Sequence, residues 1–364
     1  MKYIVYTYNY LTLCKAETYS RKIWGRENTY YIHSDGVANL PSGFVDSHNC
    51  RVVSVFPSIA TDNSNTIRQL KNEKRIVGEM IQYITDLIID VTERFYVVVF
   101  RDNQIRETTM VETIKKKYEN VVFVLIEEGL SIYSIRPSFK TGIRHHIKRL
   151  IYTYLGLSTY PLYNYPHGYN PYIEKIICSQ PEELIKRGCN NHCVIEKEIN
   201  VFDSDNSAYL INHVLRLSFV KRKIKFVFLT QPLFPSLFLN YDDKYDSMIM
   251  QMINVVGNYG NILIKSHPRD QWDYSRYAGP SCIVASQEEN SIPFECLYRY
   301  LDNPRTITLY SSAALIGKET KPIFLYDIFS GFIRKDILSD EFIKANSIIR
   351  CKSIEELESV IDGE

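Results

Sequence analysis

The side chains best suited to chemistry in this chain follow a short apolar run at residues 262–264. Lys265, His267 and Arg269 bring an ammonium, an imidazole and a guanidinium to its end, and Pro268 restricts the backbone of His267 to extended conformations. If the run is a parallel strand, these groups lie at its carboxyl end, where open α/β sheets bind ligands. The cluster indicates a site for a phosphate ester, and a histidine that only caps a strand is the alternative.

A pair of carboxylates follows a second apolar run, residues 121–126. Glu127 and Glu128 are suited to removing the proton of an attacking hydroxyl, because a carboxylate is a natural general base. Gly129 comes next and lets the backbone turn close to a ligand. This segment therefore predicts an acceptor site at a strand end.

A pair of hydroxyls follows a third apolar run, residues 306–310. Ser311 and Ser312 stand directly before residues 313–316, which read as the first turn of a helix. Hydroxyls and free amides at the start of a helix bind anions. The segment therefore suits a phosphate on which negative charge grows during a reaction.

The order of these segments, an acid pair with glycine, a His-Pro pair and a Ser-Ser pair, resembles the three short motifs of bacterial sialyltransferases. With Thr230-Gln231-Pro232 and Ile292-Pro293-Phe294-Glu295, the chain looks most similar to glycosyltransferase family 52, the lipooligosaccharide and capsule sialyltransferases. The bacterial polysialyltransferase group is a close second. The resemblance spans roughly residues 120–330. It implies an inverting, metal-independent transfer of sialic acid from CMP-sialic acid to a glycan hydroxyl of a capsular polysaccharide or lipooligosaccharide.

The resemblance also implies roles for individual residues. His267 would protonate, or donate a hydrogen bond to, the departing phosphate. Glu295 would accept hydrogen bonds from the ribose or the cytosine, and a glutamate that only complements a helix dipole is the alternative. The remaining contacts expected for the donor or close to it are Thr230, Gln231, Lys265, Pro268, Arg269, Pro293, Phe294, Ser311, Ser312 and Gly129.

Two carboxylate clusters compete for the role of general base. In some sialyltransferases with these motifs the acid pair supplies it, which points to Glu127 or Glu128. In the family 52 branch the base lies about twenty residues before the His-Pro pair, which points to Asp243 or Asp246. The alternative role for Asp246 is to cap the helix that follows it. Both clusters stay open at this point.

Apolar runs that alternate with helical patterns predict a parallel, doubly wound α/β sheet in each half of the chain. The strands expected are Lys2–Tyr8, Thr29–His33, Arg51–Phe56, Phe95–Phe100, Val121–Ile126, Lys225–Leu229, Ile262–Lys265, Cys282–Ala285, Ile307–Tyr310 and Ile323–Tyr326. Ile348–Cys351 leads into a C-terminal helix, which the spacing of Ser353 and Glu356 marks as a capping box. The longer helices expected are Asn65 to about Val91, Thr108–Tyr118, Asp246–Val256 and Pro293–Leu301.

Two such halves give the GT-B layout of glycosyltransferases, with two Rossmann-like domains facing a central cleft. Residues 1–200 would form the N-terminal acceptor-side domain, and residues 201–364 would bind the CMP-sugar donor. Residues 129–171 read as irregular and aromatic. Their basic, helix-like run, Arg144–Arg149, reads as a solvated face or the rim of the acceptor domain, with contact to a membrane or an acidic glycan as the alternative.

Composition excludes several classes of protein. The chain has 364 residues and a formal net charge of +1, so nothing attracts it globally to nucleic acid. Eight cysteines are too scattered for a disulfide scaffold, and Cys189, His192 and Cys193 lack a fourth zinc ligand. No apolar run is long enough to span a membrane, and the N-terminus reads as a strand rather than a signal peptide. We expect a cytoplasmic protein without a cofactor or metal.

The expected partners are a CMP-sugar donor and a glycan acceptor, and no nucleic acid. Peripheral contact with the cytoplasmic face of the membrane and a homodimer are also compatible with the 28 tyrosines. Three other functions stay open: transfer of another activated sugar such as CMP-Kdo or a UDP-sugar, epimerisation of a nucleotide sugar, and glycan binding without catalysis.

Overall fold

The structure is a computed structural model that describes most of the chain. The described residues are 1–35, 39–41, 43–54, 66–88, 92–129, 132, 143–163, 167–186, 188, 193–216, 222–231, 243–267, 270, 272–309, 311–328 and 340–363, with the backbone alone at 66, 143–145, 243, 244, 312, 318 and 341. The chain divides into two compact units, Met1–Val201 and Phe202–Glu364, which we call unit 1 and unit 2.

Unit 1 is built on a seven-stranded parallel sheet. Its strands are β1 (Lys2–Thr7), β2 (Thr29–Ser34), β3 (Asn49–Val53), β4 (Phe95–Val99), β5 (Val121–Ile126), β6 (Lys175–Cys178) and β7 (Val194–Lys197). They lie in the order β3-β2-β1-β4-β5-β6-β7, so the winding reverses between β1 and β4. Every residue of β5 is buried, as expected for an unbroken apolar strand covered on both faces.

Six α-helices connect the strands of unit 1 within its described ranges. They are α1 (Tyr10–Tyr19), α2 (Phe44–Ser47), α3 (Thr66–Leu87), α4 (Ile105–Lys117), α5 (Ile143–Leu155) and α6 (Pro181–Lys186). The longest, α3, buries one apolar face that includes Ile76, Met80 and Ile84. This spacing of four residues keeps the three side chains on one side of the helix.

Unit 2 contains a six-stranded parallel sheet. Its strands are β8 (Phe226–Leu229), β9 (Ile262–Lys265), β10 (Cys282–Val284), β11 (Arg305–Thr308), β12 (Ile323–Phe324) and β13 (Ile349–Arg350). Their order is β10-β9-β8-β11-β12-β13, so the winding reverses between β8 and β11. The α-helices of unit 2 are α7 (Ser204–Tyr209), α8 (Asp243–Tyr259), α9 (Gln287–Ser291), α10 (Phe294–Tyr300), α11 (Asp340–Ala345) and α12 (Ile354–Asp362).

The expected strands are present, with ends that shift by up to a few residues where the residues are described. Helix α1 was not predicted, because residues 12–19 are all buried, Lys15 and Glu17 included, and polar and apolar residues do not separate onto two faces of the helix. Strands β6 and β7, each four residues long, were not predicted. Helix α5 contains the basic run that was expected to be helix-like, and it extends to Leu155 in a segment otherwise expected to be irregular. None of the helices in the described ranges is long and apolar enough to cross a membrane.

A buried carboxylate ties α1 to the edge of the sheet in unit 1. The Glu17 side chain is fully buried, and its Oε2 accepts a hydrogen bond of 2.8 Å from the Tyr31 hydroxyl. His48 Nε2 lies 3.3 Å from the same oxygen, and Arg26 pairs with Oε1. Burial alone would raise the pKa of Glu17, but the hydrogen bonds from His48 and Tyr31 and the charge of Arg26 lower it. The carboxylate is therefore stabilised in the folded chain.

We expect Tyr31→Phe to destabilise unit 1 by about 1.5–3 kcal/mol near neutral pH, since it removes a hydrogen bond to a charged group. Because the folded pKa of Glu17 lies below 4.5, this contribution is present above that pH and is lost as pH falls through the folded pKa. The difference between wild type and variant should therefore shrink in acid. Urea unfolding at several pH values, followed by Trp24 fluorescence in a Trp272→Phe background, measures it.

Tyr30→Phe is the matched control, because Tyr30 is the neighbouring residue on the opposite face of β2 and is only half-buried. It should change stability much less than Tyr31→Phe. A Tyr31→Phe penalty that is the same in acid and at neutral pH would contradict the assignment of that penalty to the ionised carboxyl of Glu17.

Candidate active site

The crevice of unit 2 is defined by the two strands between which the winding reverses. Ligands of open α/β sheets bind at the carboxyl ends of such strands. Thr230 and Gln231 follow β8, and Ser311 lies shortly after β11. Strand β9 pairs with the other side of β8 and leads into His267. The structure thus brings four of the expected site residues to one edge of the unit 2 sheet.

The backbone of His267 is held by a closed set of hydrogen bonds. Its amide donates to Thr230 Oγ1 over 3.0 Å, and the Thr230 hydroxyl donates to Asp270 Oδ2 over 2.5 Å. The amide of Asp270 donates back to the His267 carbonyl over 2.8 Å. Thr230 is 2% exposed, so water does not compete for its hydroxyl. Thr230 therefore positions the histidine, a role that its place in the sequence did not reveal.

Asp270 connects this turn to a cluster of aromatic side chains. Its Oδ2 also accepts a hydrogen bond of 3.0 Å from the Tyr274 hydroxyl, which lies 3.1 Å from the buried Tyr245 hydroxyl. Its Oδ1 accepts one of 3.2 Å from the amide of Trp272. Sequence reasoning did not select Asp270. An aspartate two residues after a proline is typical of a turn, and that was the available signal.

Asp246 lies inside α8 and is engaged by two side chains. The helix begins at Asp243, so Asp246 does not cap it. Tyr277 donates a hydrogen bond to its Oδ1, and Arg276 Nη1 lies 3.3 Å from the same atom. Burial, followed by the hydrogen bond to Asp246, raises the pKa of Tyr277 to about 12, so this hydroxyl remains a donor at neutral pH. The side chain of Asp243 lies outside the described residues.

The side chain of Lys265 forms a hydrogen bond within unit 2. The residue is 6% exposed, and its ammonium donates a hydrogen bond of 2.8 Å to the carbonyl of Asn290, in α9. Burial lowers its pKa to about 8, although the charge of Glu295 opposes the shift. The amide of Ser266 donates to Asn290 Oδ1 over 2.7 Å. Asn290 therefore fixes the backbone at the end of β9, and this positions His267, two residues further on.

The remaining donor-side residues lie on two helices of unit 2. Pro293 precedes α10, Phe294 is buried in its first turn, and Glu295 is half-buried beside it. The amide of Ser311 donates to Thr308 Oγ1 over 3.1 Å, and the helix that follows is a 3₁₀ helix, Ser312–Thr320, with non-helical backbone at Gly317. The helical turn expected after the serines is thus present, as a 3₁₀ helix. Pro268, Arg269 and the Ser312 side chain lie outside the described residues.

In unit 1, Glu128 lies at the edge where the winding of the sheet reverses. Arg101, which lies two residues after β4, forms a bidentate ion pair with Glu128. Its Nε donates to Oε2 over 2.7 Å, and its Nη2 donates to Oε1 over 3.1 Å. Asn9, two residues after β1, donates from Nδ2 to Oε1 over 2.8 Å. The Arg101 guanidinium also lies 4.4 Å from the centre of the Tyr8 ring. Glu128 therefore connects β5 to β1 and β4.

Glu127 contacts the segment that follows β6, the strand on the other side of β5. Its carboxylate accepts hydrogen bonds from the amide of Ser179 over 2.7 Å and from the Ser179 hydroxyl over 2.9 Å. Its carbonyl accepts a hydrogen bond of 2.6 Å from Lys15, whose ammonium also lies 2.8 Å from Glu198. Both members of the acid pair are thus bound by hydrogen-bond donors. Gly129 follows them in a bend.

No group of three or more His, Cys, Asp or Glu side chains in the described ranges is placed to hold a metal ion. The thiol of Cys193 is described, whereas Cys189 and His192, considered above as zinc ligands, lie outside the described residues.

Solved structures of other proteins superpose on nearly the whole of this chain. An alpha/beta-galactoside alpha-2,3-sialyltransferase from the luminous marine bacterium Photobacterium phosphoreum superposes with a TM-score of 0.53 and 14% identity, covering 98% of this chain and 100% of that one. The UDP-GlcNAc 2-epimerase of Methanocaldococcus jannaschii gives a TM-score of 0.54 and 11% identity, covering 100% and 92%. These likenesses, with the two parallel sheets, confirm the expected GT-B fold.

Sequence comparison identifies the family. No curated protein gives a significant match. The sequence profile of the alpha-2,8-polysialyltransferase (POLYST) family matches residues 4–276, most of unit 1 and the part of unit 2 that holds β8, β9 and His267. The expected sialyltransferase relationship is thereby confirmed, whereas membership in glycosyltransferase family 52 stays a prediction. The chain belongs to the alpha-2,8-polysialyltransferase family.

Proposed function

We propose that this protein transfers sialic acid from CMP-sialic acid to a hydroxyl of a glycan acceptor, with inversion and without a metal ion. The observation that carries the proposal is the position of His267, whose backbone is held by Thr230 and Asp270 at the edge where β8 and β11 part. Membership in a sialyltransferase family supports the nature of the transferred sugar. The CMP moiety of the donor would bind to unit 2, and the acceptor to unit 1.

The chemistry explains why a fixed imidazole is useful at this edge. Cleavage of the bond between the sugar and the phosphate passes through an oxocarbenium-like state, so negative charge grows on the phosphate. An imidazole that is already oriented can donate a hydrogen bond or a proton to that phosphate without reorganisation. The Ser311 and Ser312 hydroxyls would add donors to the same group, and Glu295 would contact the nucleoside. A donor with one phosphate can react in this way without magnesium.

The fold alone does not choose among nucleotide-sugar enzymes, because it is shared with an epimerase. The family does favour sialic acid, and its name favours an acceptor that ends in sialic acid and is extended through an alpha-2,8 linkage. A capsular polysaccharide would supply such an acceptor, and a lipooligosaccharide is the alternative. The cytoplasmic location, the peripheral contact with the membrane and the homodimer stay predictions.

The first test is a screen of CMP-sialic acid, CMP-Kdo and UDP-sugars with a sialylated oligosaccharide as acceptor. We expect release of CMP from CMP-sialic acid and a product that is one sialic acid longer, detected by mass spectrometry. Activity should persist in EDTA, and a loss that magnesium restores would contradict the metal-independent mechanism. Turnover of a UDP-sugar but not of CMP-sialic acid would replace the proposed function, and binding without turnover of any donor would indicate a glycan-binding protein.

We expect His267→Ala to lower turnover by at least about a hundredfold, the usual scale for losing an acid catalyst or an oxyanion donor. Affinity for CMP should fall less, because the nucleotide also contacts other groups. Steady-state kinetics and calorimetric titration with CMP measure the two effects. His213→Ala is the matched control, since His213 is an exposed histidine of unit 2 that stacks on Tyr209. Near wild-type turnover of His267→Ala would make that histidine structural.

We expect the double variant Ser311→Ala/Ser312→Ala to weaken CMP binding by about 1–3 kcal/mol, the range for losing hydrogen bonds to a charged group. The fold should persist, because the Ser311 hydrogen bond to Thr308 uses the backbone amide and not the hydroxyl. Calorimetric titration of the variant with CMP and with cytidine separates the phosphate from the nucleoside. A loss of affinity that is equal for both ligands would remove the serines from the phosphate site.

A further inference from the structure

The outward side of α5 carries three apolar side chains in a row. Ile147, Leu150 and Tyr154 are 52%, 70% and 89% exposed. Their spacings of three and four residues place them along one side of the helix. Lys148 and Arg149 are exposed as well, and the turn of about 100° per residue puts them on opposite flanks of the apolar row. We call these five residues the outer face of α5.

The opposite side of α5 provides its contact with the rest of unit 1. Leu155 is buried in a cluster with Leu70 of α3 and with Leu157. Ile151 and Tyr152 are half-buried against the same cluster. One apolar side is what a helix at the surface of a domain needs in order to stay packed. The apolar residues of the outer face do not belong to this cluster, so the packing of unit 1 does not explain them.

Positive charge is concentrated around the outer face. Helix α5 contains three Lys or Arg residues and no Asp or Glu, although the whole chain has a net charge of only +1. The first turns of α3, which lie beside the C-terminal end of α5, add Arg68, Lys71 and Lys74, all exposed. The acidic residue among them, Glu73, forms an ion pair with Arg106. A partner that covers this part of unit 1 must therefore bring negative charge as well as an apolar surface.

An anionic lipid surface meets both requirements. Lys and Arg are attracted to the charged headgroups, apolar side chains enter the boundary between headgroups and acyl chains, and tyrosine is enriched at that depth. A soluble acidic glycan would account for the basic residues but not for Ile147 and Leu150, which offer nothing to a carboxylate. A helix of 13 residues is about 20 Å long and too short to cross a bilayer, so it would lie in the plane of the surface.

We propose that the outer face of α5 is the surface by which unit 1 binds a membrane that contains anionic lipids. Ile147, Leu150 and Tyr154 enter the interface, and Lys148 and Arg149 contact the phosphates of the headgroups beside them. The contact is independent of the proposed sialyl transfer, because it uses none of the residues assigned to the donor or the acceptor. It holds unit 1, to which the proposed function assigns the acceptor, at the surface of the bilayer.

Sedimentation of the full chain with vesicles tests the contact without donor or acceptor. We expect wild type to bind vesicles of equimolar phosphatidylcholine and phosphatidylglycerol, and to bind much more weakly in high salt or to phosphatidylcholine alone. Ile147→Ser/Leu150→Ser should weaken binding at least about tenfold, since each apolar side chain loses its transfer out of water. Lys148→Gln/Arg149→Gln should weaken it by a similar factor and abolish the preference for the anionic vesicles.

Ile185→Ser is the matched control, because Ile185 is 61% exposed on α6, another helix of unit 1. This variant should bind vesicles as wild type does. All the variants should keep the thermal stability of wild type and its activity on a soluble acceptor, since the substituted side chains are exposed.

Several outcomes would overturn the proposal. Absence of vesicle binding would remove the membrane contact, and vesicle binding that the α5 variants leave unchanged would place it elsewhere. If wild type binds a sialic acid polymer instead, and only the Lys148→Gln/Arg149→Gln variant loses that binding, the outer face is a glycan site. If wild type forms dimers that Ile147→Ser/Leu150→Ser dissociates and does not bind vesicles, the face joins two copies of the chain. Failure of the proposed function is a separate result, since a chain that releases no CMP from CMP-sialic acid can still bind vesicles.

Discussion

The hydroxyl of Thr230 is the contact on which the donor side of this protein depends. It accepts a hydrogen bond from the amide of His267 and donates one to the carboxylate of Asp270. These two hydrogen bonds join the end of β8 to the turn that follows β9. A hydroxyl can do both because it carries a donor and acceptors on one atom. Thr230 is only 2% exposed, so water could not replace its hydroxyl. A valine in its place would therefore leave a buried amide and a buried carboxylate without this partner. The strand order brings these groups together, and the threonine fixes their geometry.

The two units share one arrangement. In each, an aspartate that follows a strand of the sheet accepts hydrogen bonds that order a turn, and that turn carries a histidine. In unit 2, Asp270 is bound by Thr230, Tyr274 and the amide of Trp272. In unit 1, Asp102 is bound by His167 and two backbone amides. Burying a charge is costly unless several donors replace the lost water. Those donors come from residues adjacent in the fold, so each aspartate has its full set of hydrogen bonds only when the turn around it is correctly formed.

The sheets could be predicted from sequence because central parallel strands are apolar along their whole length, as residues 121–126 and 262–264 show. The segments that carry His267 and the acid pair could be found because they directly follow such strands. Asp102 and His167 could not be paired in this way, since 65 residues separate them. Asp102 follows a predicted strand, but His167 lies in a tyrosine-rich segment that has no periodic pattern. Only the fold brings the two together.

The acid pair shows why adjacent residues in one motif need not share one role. Successive side chains beyond a strand point to opposite sides, so Glu127 reaches Ser179 after β6 while Glu128 reaches Arg101 and Asn9 after β4 and β1. Two carboxylates at the end of β5 thus connect it to strands on both sides. A glutamate side chain is one methylene longer than an aspartate, which extends this reach. The pair therefore has a sufficient structural reason to be acidic, and its presence at a strand end does not by itself identify the base.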